Sequence, residues 1–153
     1  MCVQGDVYFG VWNHNLLARG VYLFQNGEGF EGSVLKGKQG KGTYFYRNGN
    51  IYSGYWRDDV KEGKGRMDYP NGDSYEGDWV GGRKSGQGVY NYANGTIYDG
   101  HFLDGRKHGY GVVIFPNGTR IEAHWQKTHV EGPGKVFYKN GDYFEGQYHR
   151  SEK

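Results

Sequence analysis

Apolar and polar residues alternate in short runs along this chain, and the runs return at a fixed interval. The sharpest copy is Tyr75-Glu76-Gly77-Asp78-Trp79, with rings and glycine in one set of positions and charges in the other. Alternation with a period of two marks a half-buried strand. The first apolar slot falls at Tyr8, Phe30, Tyr52, Tyr75, Tyr98, Ile121 and Phe144, at intervals of 22, 22, 23, 23, 23 and 23 residues. A fixed period in this range predicts a repeat architecture. In such an array each unit contacts its neighbours and stability sums along the row.

The turns supply the register. Asn-Gly recurs at Asn26, Asn48, Asn71, Asn94, Asn117 and Asn140, and Gln4-Gly5 takes the same slot at the start. Pro70 and Pro116 precede two of these pairs. Proline suits the first central position of a type I turn, and the glycine then takes a left-handed conformation. That is the three-residue hairpin loop with a glycine bulge. It sets Tyr90 against Tyr98, Gly88 against Gly100 and Gly86 against Phe102. The other hairpin of each repeat, such as Trp79 to Gly86, reads as a six-residue loop.

Three rows then share one face. The first is mostly aromatic, from Tyr8 to Phe144. The second is glycine from Gly10 to Gly146, except Ala123. The third alternates bulky residues with small ones, and its Trp, Phe and Tyr rings are expected to lie over neighbouring glycines. The opposite face is expected to be polar. There the register sets Arg66 against Glu76, Lys64 against Asp78 and Lys135 against Glu145, each pair contributing about 0.2–1 kcal/mol. The predicted fold is all-β: an elongated, single-layer antiparallel sheet of consecutive hairpins, about 13 strands and roughly 60 Å long, without helix.

Composition supports an ordered array. Of 153 residues, 29 are glycine and 27 are Tyr, Phe or Trp. Glycine at fixed positions indicates backbone geometry rather than a flexible linker. The net charge of +2 is too small to imply nucleic acid by itself. No apolar run approaches the roughly 20 residues of a membrane helix, and no signal peptide is visible. Cys2 is the single cysteine, so no internal disulfide can form. A reducing, intracellular setting is expected. Asn94-Gly95-Thr96 and Asn117-Gly118-Thr119 match the glycosylation pattern, but tight turns supply such sequences by chance.

Tyr75-Glu76-Gly77-Asp78-Trp79, followed by Gly82, Gly86-Gln87-Gly88 and Asn94-Gly95, resembles the MORN repeat (membrane occupation and recognition nexus). The resemblance covers residues 4–148, with six full copies and a partial seventh. Ala18, Val34, and Ile121 with Ala123 depart from the pattern but keep small or apolar character. The array is expected to span residues 1–153 as one domain. Its repeats begin near 8, 30, 52, 75, 98 and 121, with the partial one at 144, and the whole is readable as a cut from a longer array. The resemblance implies no catalytic centre within the repeats. Arrays of this family occur in junctophilins, plant phosphatidylinositol phosphate kinases, histone methyltransferases, ciliary radial spokes and cytoskeletal scaffolds of parasitic protists. The protist scaffolds are the best architectural match, and they dimerise through their C-terminal repeats.

Candidate sites follow. Tyr75, Tyr90 and Tyr98 are expected core. Trp56, Trp79, Phe102, Trp125 and Tyr148 form an open aromatic strip, a candidate groove for a partner helix or peptide. Val113, Ile121, Val136, Phe144 and Tyr148 are candidates for dimerisation through the last repeats. Lys36, Lys38, Lys61, Arg83, Lys84, Arg106, Lys107 and Lys127 make a basic loop ridge. Within it Lys61, Arg83, Lys84, Arg106 and Lys107 are the candidates for an anionic phospholipid surface.

Gly37-Lys38-Gln39-Gly40-Lys41-Gly42-Thr43 lacks the spacing and the following helix of a phosphate loop. His101 and His124 lie two strands apart, roughly 10 Å, too far to share one zinc. His14, His108, His129 and His149 fall in loops or the tail, leaving only a metal site shared between chains open. No triad spacing is present, and no cofactor is expected. The expected function is a non-enzymatic scaffold that self-associates and binds protein. It would sit in the cytoplasm, on the cytoskeleton or at the inner membrane periphery. An anionic-membrane module and an aromatic peptide groove are the alternatives.

Overall fold

The computed structural model describes residues 2–3, 5–13, 16–34, 37–127 and 129–148. Gln4, His14, Lys36 and residues 149–153 lie outside the described residues, as do the side chains of Trp12 and Ala18. The strands are β1 (Cys2–Val3), β2 (Asp6–Asn13), β3 (Leu16–Leu23), β4 (Gly29–Ser33), β5 (Gln39–Phe45), β6 (Ile51–Arg57) and β7 (Val60–Asp68). They continue as β8 (Ser74–Val80), β9 (Arg83–Asn91), β10 (Ile97–Leu103), β11 (Arg106–Ile114), β12 (Arg120–Gln126), β13 (His129–Phe137) and β14 (Tyr143–Tyr148). No helix occurs among the described residues. The hydrogen-bonded order of this antiparallel sheet is the order of the chain, β1 to β14. The two-residue β1 precedes the strands that the repeat predicts. The chain divides into two compact units, residues 1–72 with 79–82 and residues 73–78 with 83–153.

The Asn-Gly hairpins are the expected three-residue loops. At Asn94, the Tyr92 N–H donates to Thr96 O at 2.8 Å and the Gly95 N–H to Tyr92 O at 2.9 Å. Gly95 is left-handed at φ 90°, which a side chain would strain. Asn94 Oδ1 accepts from the Thr96 N–H, so the sequon-like sequence serves as a turn. Tyr90 faces Tyr98, Gly88 faces Gly100 and Gly86 faces Phe102, as the register requires. Lys135 faces Glu145, and their ion pair is 2.8 Å long.

The other hairpins differ from expectation. The six-residue loop is instead a two-residue turn followed by a bulge. Arg57 pairs with Val60 across Asp58 and Asp59, at φ 47° and 68°. Leu103 pairs with Arg106 across Asp104 and Gly105, at φ 48° and 83°. Two successive left-handed residues give the turn whose twist matches a right-handed hairpin. The surplus residues are taken up where Gly54 pairs with Gly65 but Trp56 with Lys61. Gly63 sits in that bulge at φ 90°. The third-row glycine therefore carries the bulge and does not floor a ring.

The first-row rings cover glycine instead, and they cover the middle row. Tyr52, Tyr75, Tyr98 and Phe30 are fully buried. A Cβ on Gly65 would land on the Tyr52 ring, one on Gly88 on the Tyr75 ring and one on Gly111 on the Tyr98 ring, while one on Gly54, Gly77 or Gly100 would meet the facing glycine's backbone and the same tyrosine's hydroxyl. Each tyrosine lies along its own strand and donates its hydroxyl to the carbonyl three residues on. Tyr52 reaches Tyr55, Tyr75 reaches Asp78 and Tyr98 reaches His101, all at 2.9 Å. Burial pushes the Tyr52 and Tyr98 hydroxyls to higher pKa. The indoles pack next to these rings, edge-on. Tyr52 meets Trp56 and Trp79 at 5.1 Å each, and Tyr98 meets Phe102 at 5.2 Å. Trp56 Nε1 donates to Gly42 O and Trp79 Nε1 to Gly65 O, both at 3.0 Å.

The opposite face is polar in part only. In β2, Phe9 and Val11 are exposed where β8 carries Glu76 and Asp78 and β10 carries Asp99 and His101, and Leu23 is exposed in β3 as Phe45 and Ile114 are at the matching place. Arg66 bridges Asp68 of its own strand at 3.0 Å.

Candidate functional site

Lys61, Lys84 and Lys107 each stand second after a two-residue turn and lie against the ring face of the sheet. Lys61 Nζ sits 4.8 Å from the Trp79 centroid, 5.4 Å from Tyr46 and 5.6 Å from Tyr52. Lys84 sits 5.1 Å from Tyr90, 5.5 Å from Tyr75 and 5.9 Å from Phe102. Lys107 sits 4.9 Å from Trp125, 5.1 Å from Tyr98 and 5.2 Å from Tyr92. Lys38 lies 5.5–5.7 Å from Phe30, Tyr44 and Trp56 and also bridges Asp59 at 3.4 Å. Each ammonium is within cation–π range of three rings, an attraction of about 0.5–2 kcal/mol. Burial among the rings holds the Lys61 pKa below its ordinary value.

These contacts bring out a ring series absent from the three rows: Phe24, Tyr46, Tyr69, Tyr92, Phe115 and Tyr138. Each stands two residues before an Asn-Gly pair, so the spacing was available in the sequence as a second aromatic period. They are half-buried or, for Tyr138, exposed. Tyr46 packs on Tyr44 at 4.5 Å and Tyr92 on Tyr90 at 4.7 Å. Carboxylates fix the same edge. Asp73 accepts from the Tyr90 hydroxyl and from the Ala93 N–H, both at 2.8 Å. Glu28 does the same for Tyr44 and Arg47, and the Tyr44 hydroxyl bond is the largest influence holding its carboxyl below the usual range.

The residues expected to form an open strip are placed differently. Trp56, Trp79 and Phe102 are 6%, 4% and 6% exposed. The clasp between each indole and a glycine carbonyl, and the edge-on packing on Tyr52 and Tyr98, close that row. Trp125 and Tyr148 remain half-exposed. Of the dimerisation candidates, Val113 and Val136 are buried, Ile121 and Tyr148 are half-buried, and Phe144 is 57% exposed.

The basic ridge splits by type. Lys61, Lys84 and Lys107 turn onto the rings, while Arg83, Arg106 and Lys127 stay exposed. Arg83, Arg106, Lys107, His108 and Lys127 line a cleft of about 340 Å³ in the second unit, with Asp104 the carboxylate there. On the polar face of that unit a second cleft, of about 410 Å³, is lined by Tyr110, Glu122, His124, Lys135 and Glu145. Tyr110 and His124 meet edge-on at 5.9 Å. No group of three or more potential metal ligands occurs among the described residues. No helix is long and apolar enough to cross a membrane.

The MORN-repeat family model matches four consecutive stretches, residues 30–51, 52–74, 75–97 and 98–120. No curated protein gives a significant sequence match. Among solved structures, the chain is similar to the SAS-4 (dCPAP) TCP domain of Drosophila melanogaster, solved in complex with a proline-rich motif of Ana2 (dSTIL). The TM-score is 0.63 at 14% identity, covering 94% of this chain and 79% of that one. A point mutant of the TCP10 domain of Danio rerio CPAP matches with TM-score 0.47 at 14% identity, covering 85% of this chain and 72% of that one. At such identity the first likeness is one of fold.

Proposed function

This chain belongs to the MORN-repeat family, and from that membership we propose that it is a non-catalytic interaction scaffold holding an extended, proline-rich segment of a partner protein on its pre-turn rings. The observation that carries the reading is the set of half-exposed rings beside the Asn-Gly turns of the second unit, Tyr92 and Phe115, with Lys107 behind Tyr92. Proline-rich segments dock on aromatic-lined surfaces because their backbone is already ordered. The fold neighbour solved with a proline-rich motif supports the same class of partner. Fluorescence anisotropy with a labelled proline-rich peptide tests it. The intact chain should bind, and Tyr92→Ala or Phe115→Ala should each weaken binding about tenfold, as loss of an aromatic anchor does. Parental affinity in both variants, or no binding by the parent, sinks the reading.

Two finer readings have their own observations. The cleft of Arg83, Arg106, Lys107 and Lys127 favours an anionic membrane surface as a second contact. Its mark is salt-sensitive binding to phosphoinositide vesicles that Arg83→Glu with Arg106→Glu removes. Exposed Tyr143 and Phe144 lie on β14, the last strand of the sheet order, and favour pairing with a second copy there. Phe144→Glu should then halve the molar mass seen by light scattering. A cytoskeletal location is the setting that a scaffold of this kind fits.

A further inference from the structure

We propose that the bound segment is a polyproline II helix carrying a carboxylate at every third residue, the acids meeting Lys84 and Lys107 of the second unit. This rests on the extended-segment reading and adds the partner's charge and period. The first argument is spacing. Lys84 opens β9 and Lys107 opens β11, so equivalent lysines are two strands apart, about 9.6 Å. One turn of polyproline II is three residues and about 9.3 Å, so every third side chain returns to the same side at nearly the pitch of the repeat. An extended strand fails this match because its third neighbour points to the opposite face. An α-helix has a pitch of ~5.4 Å and makes about 1.8 turns in that distance, so it returns no side chain to the same side at the lysine spacing.

The second argument is charge. Lys107 lies on Tyr92, Tyr98 and Trp125, and a ring face attracts a cation without supplying an oxygen acceptor. The rings also remove water from one side of the ammonium, and a charge so placed pairs more strongly than one in bulk solvent. Arg83, Arg106 and Lys127 add positive charge at the adjoining turn edge, where Asp104 is the carboxylate of the cleft. Asp73 stands nearer the rings but is already bonded to the Tyr90 hydroxyl and the Ala93 N–H.

The test uses the full chain and four labelled peptides read by anisotropy. One is built of Pro-Pro-Glu triplets, one has the same residues in irregular order, and two have triplets ending in Lys or Gln. The Glu triplet peptide should bind about tenfold more tightly than the other three. Lys107→Gln should bring it down to the level of the Gln peptide, and Lys107→Arg should preserve the preference. Equal binding of the Glu and Gln triplets, of the ordered and irregular Glu peptides, or tighter binding of the Lys triplet overturns the inference while leaving the extended-segment reading. If none of the four binds, both fall.

Discussion

In the repeat built on Tyr98, a ring, two facing glycines and a carbonyl lock together. Tyr98 is fully buried, its hydroxyl holds His101 O at 2.9 Å and comes close to Gly100, and its ring fills the space above Gly111. In the next repeat of the same unit, Ile121 takes the ring's place and Ala123 takes the place of one glycine. Ala123 still faces Gly134, but the ring above Gly134 is that of Tyr148. Trp125 Nε1 is buried without a partner among the described residues, whereas Trp56 and Trp79 each hold a glycine carbonyl. The two changes belong together. Without the tyrosine no hydroxyl stands over that position, and the methyl group of alanine fills part of the space.

The largest effect expected from this contrast is at the ring. Tyr98→Ala should destabilise by about 3–5 kcal/mol in urea unfolding, the range for emptying a large buried aromatic site. Ile121→Ala, at a half-exposed position, should cost well under half as much; equal losses would break the comparison. Next comes the glycine. A Cβ on Gly100 would sit 2.5 Å from Gly111 Cα and 2.8 Å from the Tyr98 hydroxyl, so Gly100→Ala should cost about 1–3 kcal/mol. Ala123→Gly should cost about 1 kcal/mol or less. Smaller again is the indole clasp. Trp56→Phe loses a bond to Gly42 O and should cost about 1 kcal/mol more than Trp125→Phe, which loses none.

The smallest effect is acidic. Glu28 and Asp59 have lowered carboxyl pKa values, chiefly from the Tyr44 hydroxyl and the Lys38 N–H respectively. Such groups contribute above their unfolded pKa, and the contribution fades as pH falls through the folded one. Glu28→Gln should therefore flatten the loss of stability below about pH 4, with an unchanged slope counting against that bond.

Much of this fold is legible in the sequence because two strong signals agree. The 23-residue period places the strands, and the three-residue Asn-Gly loop fixes pairs such as Tyr90 with Tyr98. The short turns are hidden because Asp58 and Asp59 are left-handed without glycine's signature, and the bulge at Gly63 restores the pairing register beyond the turn. That concealed turn also hides the lysines, which alternation alone assigns to a loop. The pre-turn rings were readable as a period but fall inside segments that turn chemistry marks as loops. The open strip at Trp56, Trp79 and Phe102 was misjudged for a packing reason. Tyrosines lying along their own strands over glycine let the indoles pack down beside them.

The interlock itself is tested most directly by a double-mutant cycle joining Tyr98→Ile and Gly111→Ala, because the three atoms nearest a Cβ on Gly111 all belong to the Tyr98 side chain. If the ring and the glycine beneath it form one device, Gly111→Ala should cost about 1–3 kcal/mol less in the Tyr98→Ile background than in the parent chain. Strict additivity of the two costs would show that ring and glycine act independently, and the account of the fold would be wrong.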